Sequence, residues 1–92
     1  MWTIVETKDA VKALLGLPPQ VRKKYEHWKS IVHTTGPEAL AALPGFHDEA
    51  LRYEWAGHRS SRLNRQWRVI YRVDHDEILV SVERITPHDY RR

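Results

Sequence analysis

The chain has 92 residues, with 15 basic and 12 acidic side chains, four Trp, four Tyr and no Cys. That length fits one small domain over residues 1–92, and the lack of Cys excludes a disulfide scaffold, a thiol nucleophile and a Cys-bound zinc site. No apolar run approaches the ~20 residues that span a bilayer and the N-terminus lacks a signal-peptide core, so no membrane partner and a cytoplasmic location are expected.

Trp2–Val5 is a short apolar run and reads as a first strand. Thr7 is suited to cap a helix carrying Val11, Leu14 and Leu15, with Gly16 ending it. Pro18 and Pro19 break the chain and open a second helix to about His33. There Val21, Tyr25, Trp28 and Val32 recur at helical spacing and form one apolar stripe. Arg22, Lys23, Lys24, Glu26 and Lys29 occupy the rest and read first as a solvated face. Gly36-Pro37 stops the helix, and Glu38–Leu43 can add a short turn. An irregular stretch runs from Pro44 to about Ala56.

Three strands are expected next, at His58–Asn64, Trp67–Val73 and Glu77–Ile85, with Asp74-His75-Asp76 as the last tight connection. On the final strand Ile78, Val80 and Val82 share the side expected to face the core. Pro87 ends that strand, and His88–Arg92 forms a polar tail. The order is strand, helix, helix and three antiparallel strands, an α+β class. The helices should cover one sheet face, burying Tyr25 and Trp28 against Val69, Tyr71, Ile78 and Val80. The opposite face should stay open.

Charge is distributed unevenly. All five Lys precede residue 30, whereas nine of ten Arg follow residue 51. Gly57–Arg72 alone holds Arg59, Arg62, Arg65, Arg68 and Arg72, with no Lys and no acid. Arg68, Ile70 and Arg72 alternate with Trp67, Val69 and Tyr71, the period of a strand. A row of guanidinium groups on a sheet suits phosphate, because the planar fork stays charged and binds two oxygens at once. The alternative is a solvated strand face balanced by Glu54, Asp74, Asp76 and Glu77. The predicted open face carries Arg68, Arg72 and, by parity, Arg62 with Ser60.

Such a face meets the needs of metal-free RNA cleavage. A base must remove the ribose 2′-hydroxyl proton, a cation must steady the phosphate, and an acid must protonate the departing 5′-oxygen. Arg62 and Arg68 suit the phosphate. His88 suits the acid, since imidazole titrates near neutrality, and Glu49 suits the base. The bland readings are a solvated Glu49, an idle tail His88 and a Tyr90 ring packed on the sheet edge.

The residues from Glu49 onward resemble the RelE superfamily of bacterial toxins, most closely its YoeB branch. The resemblance rests on Gly57-x-x-Ser60-x-Arg62-Leu63-Asn64, Arg68-Val69-Ile70-Tyr71-Arg72-Val73, Asp76-Glu77-Ile78-Leu79-Val80 and a closing His88-Asp89-Tyr90, with Glu49 and Leu51 upstream. Arg62-Leu63-Asn64-Arg65-Gln66-Trp67-Arg68 is also similar to the HigB core. The YoeB pattern closes on adjacent His-Tyr, whereas Asp89 intervenes here.

The resemblance implies a RelE/ParE-like fold, β-α-α-β-β-β, with two helices on one face of an antiparallel sheet. It implies the toxin of a type II toxin–antitoxin pair, a ribosome-dependent, metal-independent mRNA endonuclease that halts translation. Carried over, Glu49 is the general base, Arg68 the phosphate stabiliser, His88 the general acid and Tyr90 a residue that orients substrate. Arg62 holds RNA backbone, and Ser60, Arg65 and Arg72 join it as RNA contacts. No cofactor is expected. The partners are a cognate antitoxin, the ribosome with its message, and operator DNA reached through the antitoxin.

Two other readings stay open. ParE toxins share the Arg-x-x-Tyr-Arg-Val strand and would make the chain a DNA gyrase inhibitor without nuclease activity. A plain RNA-binding module would bind RNA salt-sensitively and never cut it. A metal enzyme is the weakest reading, because His47-Asp48, Asp74-His75-Asp76 and His88-Asp89 have no spacing that fixes a coordination geometry.

Overall fold

The computed structural model describes residues 1–90; Arg91 and Arg92, the end of the expected polar tail, lie outside the described residues. Five strands run β1 (Thr3–Glu6), β2 (Glu49–Ala50), β3 (Arg59–Arg62), β4 (Arg68–Asp74) and β5 (Leu79–Thr86). They form one sheet in the order β1-β5-β4-β3-β2. Three pairings are antiparallel, and β1 joins β5 in parallel at the other edge. The sheet is therefore mixed, with β2 emerging from the stretch expected to be irregular. The helices are α1 (Lys8–Leu14), α2 (Pro19–Thr35) and α3 (Glu38–Ala41).

Local chemistry accounts for these boundaries. The Thr7 hydroxyl accepts from the Ala10 N–H and donates to the Glu83 carbonyl, so one side chain caps α1 and ties it to β5. Pro18 and Pro19 open α2, which ends at Gly36. Gly36 has φ +107°, and a Cβ there would lie 2.9 Å from the Trp2 indole nitrogen. Only glycine fits that position. Asn64 closes the β3–β4 turn by accepting from the Gln66 and Trp67 N–H groups at 2.8 and 2.7 Å.

The predicted stripe is the core. Val21, Tyr25, Trp28 and Val32 are all buried on α2. The Trp28 ring is 5.8 Å from Tyr25 and meets Tyr71 of β4 edge-on at 5.2 Å. Val69, Val80, Val82 and Ile85 complete the sheet side of this cluster. In β5 the inward residues fall at positions 80, 82 and 85 because the pairing shifts: Ile70 faces Arg84, then Tyr71 faces Val82. Glu83 is the extra residue of a β-bulge, and beyond it the inward side moves by one.

Two expectations need correction. Ile78 is not on the core side of β5. It lies in the turn before the strand, has φ +52° and is 47% exposed. The connection needs the four residues His75–Ile78 to reverse the chain, so the strand starts at Leu79. The face away from the helices is also not open. Ile70 is fully buried there, and Ser60 and Arg68 are nearly so. Two segments lie over it: Trp55 sits against Arg84 and Tyr90, and Pro87 contacts Arg68. Burial of the apolar Ile70 side chain and the packing of the Trp55 ring on Tyr90 both favour this cover.

Candidate functional site

Strand register sets which side chains share the far face, because directly paired residues point the same way. One row reads Glu49, Ser60, Ile70, Arg84 across β2, β3, β4 and β5. The next reads Arg62, Arg68, Thr86. Rows two residues apart lie about 7 Å from each other, and neighbouring strands about 5 Å. The sequence-predicted Glu49, Ser60, Arg62 and Arg68 are thus brought onto one patch.

Arg62 and Arg68 are directly opposed. Like charges at such positions destabilise a sheet. Arg68 is only 6% exposed, and its guanidinium donates to the Pro87 carbonyl at 3.2 Å. Arg62 is half-buried. Two guanidinium groups thus meet at one place on the sheet, half sunk into the protein, an arrangement that suits an anion.

Glu49 owes its side of the sheet to its neighbour. The Asp48 side chain is 1% exposed. It accepts from Arg59 Nε at 2.8 Å, from Ser61 Oγ at 2.6 Å and from the Tyr71 hydroxyl. These donors sit on β3 and β4, on the helix side. Burial, then the Asp48 charge, pushes the Tyr71 phenol well above the usual tyrosine range. Burial opposes the Arg59 charge, but the hydrogen bond and charge of Asp48 outweigh it and raise its pKa. With Asp48 held below the sheet, alternation sends Glu49 above it.

The tail brings the other two candidates. The His88 N–H donates to Thr86 Oγ1 at 3.1 Å, which keeps His88 beside the Arg62–Arg68–Thr86 row. Its ring is exposed, 6.2 Å from the Tyr90 ring. Tyr90 packs on Trp55 at 4.7 Å, and the Arg84 guanidinium lies 5.6 Å from the Trp55 ring centre. His88 and Tyr90 border a cavity of about 630 Å³ with Arg52, Tyr53 and Trp55. Another, of about 450 Å³, opens by the helix side of β2 between Glu38, His75 and Arg59. It contains none of the predicted site residues.

The remaining arginines separate from this patch. Arg72 stands about 13 Å along β4 from Arg68 and pairs with Glu83 at 3.6 Å. Arg65 is exposed in the β3–β4 turn. Sequence reasoning missed Asp48, Arg52, Tyr53, Trp55 and Arg84. Tyr53 and Trp55 carried a signal, being two large aromatics in a stretch read as irregular. Asp48 carried none, since a buried aspartate looks like any other in sequence.

No protein-family model and no curated protein matches the chain. Solved structures do. A chain of the archaeal RelE–RelB complex from Pyrococcus horikoshii matches with a TM-score of 0.74 and 22% identity, over 94% of this chain and 93% of that one. The YoeB/ParE toxin from Agrobacterium tumefaciens matches with a TM-score of 0.77 and 20% identity, over 95% and 99%. The toxin–antitoxin complex RelBE2 from Mycobacterium tuberculosis matches with a TM-score of 0.62 and 26% identity, over 92% and 95%. The chain has the fold of the RelE superfamily of toxins, the YoeB branch among them.

Proposed function

We propose that the protein is the toxin of a type II toxin–antitoxin pair and a metal-independent endoribonuclease that cuts message on the ribosome. One observation carries the reading: Arg62 and Arg68 lie directly opposite each other on a sheet face that also carries Glu49, and the His88 tail is tethered to the same row. Two guanidinium groups side by side suit a phosphate ligand, which brings the negative charge.

The chemistry follows from those groups. Glu49 takes the proton of the 2′-hydroxyl, and that oxygen attacks the adjacent phosphorus. Arg62 and Arg68 steady the negative charge that builds on the phosphoryl oxygens. His88 gives its proton to the departing 5′-oxygen. The products are a 2′,3′-cyclic phosphate and a free 5′-hydroxyl. Tyr90, packed on Trp55, orients the substrate beside His88. Ser60, Arg65 and Arg72 have weaker claims as RNA contacts, since Ser60 is buried, Arg65 lies in a turn and Arg72 is paired with Glu83.

In this role the protein acts in the cytoplasm on the ribosome and its message, is held in check by an antitoxin, and reaches operator DNA through that antitoxin. Several matched structures are themselves toxin–antitoxin complexes. An in vitro translation reaction with purified protein tests the reading. Toeprinting should show message cut in the decoding site, and Glu49→Gln and His88→Asn should abolish the cut while folding normally. Intact message with halted DNA supercoiling would overturn it.

A further inference from the structure

Tyr53 is placed as no structural residue needs to be. It has φ +57° and is 76% exposed. The left-handed region costs a bulky side chain on the order of 1 kcal/mol, and an exposed ring recovers little of that by burial. Two other residues with side chains share the region, His47 and Ile78, and neither borders the cavity that contains His88. Tyr53 does, with Arg52 beside it and Trp55 two residues on. Trp55 is committed to Tyr90, Arg84 and His58. Of the Tyr and Trp rings on this cavity, Tyr53 is exposed while Trp55 and Tyr90 are half-buried.

We propose that Tyr53 is a stacking platform for one unpaired RNA base next to the scissile phosphate, a specificity residue at the rim of the site. The inference rests on the nuclease reading. A single-stranded base offers a flat π-face, and an exposed aromatic ring is a surface that takes it. Arg52 on the same wall can meet the neighbouring backbone phosphate, and Glu54 and Asp89, which also line the cavity, confine that phosphate to the Arg52 side. The strained turn 53–55 holds the ring outward where a relaxed loop would let it collapse onto the protein.

Single-turnover cleavage of a ribosome-bound message tests this, with wild type, Tyr53→Ala, Tyr53→Phe and Tyr53→Gly followed over a range of toxin concentrations. Stacking predicts that Tyr53→Ala cuts roughly 5- to 100-fold more slowly at low toxin concentration and recovers at saturation. Tyr53→Phe should stay within about 2-fold of wild type, since it keeps the π-face. Tyr53→Gly should melt higher than wild type, because glycine relieves the positive φ, yet cut as poorly as Tyr53→Ala. Equal cleavage by Tyr53→Ala and wild type overturns the stacking role alone. A lower melting temperature for Tyr53→Gly, with Tyr53→Phe as defective as Tyr53→Ala, overturns it in favour of a structural role. No cleavage by wild type overturns the nuclease reading and this inference together.

Discussion

Asp48 and Glu49 are consecutive and face opposite sides of the sheet. Asp48 is locked beneath it by Arg59, Ser61 and Tyr71, while Glu49 pairs with Ser60 in the row that leads to Arg84. A two-residue edge strand has few ladder bonds of its own to fix its register. The buried carboxylate supplies that fixity from the helix side of the sheet.

Removing this anchor should therefore cost both stability and activity. Asp48→Ala is expected to lose about 3 kcal/mol, the low end for breaking a buried charge pair, because the Arg59 side chain is 36% exposed and rehydrates. Tyr71→Phe should lose about 1–2 kcal/mol. The double variant should lose less than the sum, since both changes break one network. Urea denaturation gives the three values. Cleavage by Tyr71→Phe, assayed well below its unfolding midpoint, should fall as Glu49 loses its register.

Ile70 tests whether the far face is covered. Ile70→Ala should destabilise by about 2–4 kcal/mol, as for any fully buried aliphatic side chain. Val5 points to the same face from the exposed end of the sheet and is 41% exposed. Val5→Ala should change stability by less than about 1 kcal/mol. Equal small effects at both positions would mean that Trp55 and the tail do not shield the sheet in solution.

Alkaline pH gives a separate signature. Tyr25, buried and hydrogen-bonded to Glu6, and Tyr71, buried against Asp48, both have pKa values raised above the ordinary tyrosine value. A raised folded-state pKa means the folded form holds the proton more tightly. The stabilisation is whole below the unfolded value near 10 and is lost as pH rises from there towards the folded value. Stability should therefore start to fall above about pH 10. Tyrosinate absorbance from these two residues should appear together with loss of near-UV circular dichroism. Phenylalanine at either position should shrink that step.

The sequence made some of this legible and not the rest, for physical reasons. Val21, Tyr25, Trp28 and Val32 announce a helix because burial on a cylinder demands their spacing. Arg68, Val69, Ile70 and Tyr71 announce a strand, but alternation says only that two faces differ. It cannot say that Leu51–Trp55 and the tail fold back over the arginine face, which depends on contacts more than 30 residues apart, such as Trp55 with Tyr90. The bulge at Glu83 did leave a mark, since Val80, Val82 and Ile85 break the two-residue period. Ile78 misled because an apolar residue before a strand looks like its first residue. Glu49 and Arg68 were singled out as candidate reagents by residue type and by the family pattern, whereas nothing singled out the buried anchor Asp48.

Arg62 offers the sharpest separation of fold from function. It lies directly opposite Arg68, and the two cations repel across the β3–β4 ladder. Arg62→Gln keeps a polar, hydrogen-bonding side chain and removes the charge, so the variant should be equally stable or gain up to about 1 kcal/mol. A residue kept for the fold would do the opposite. If the pair holds the phosphate, the same change should cut cleavage about 100- to 1,000-fold, the usual loss when one stabilising donor leaves a developing anion. Wild type should also gain more than Arg62→Gln does when inorganic phosphate is added, because the paired site binds it better and binding to the folded state raises stability. Thermal melts with and without phosphate, alongside the translation assay, decide it. A destabilised Arg62→Gln variant with unchanged cleavage would mean that the pair belongs to the scaffold.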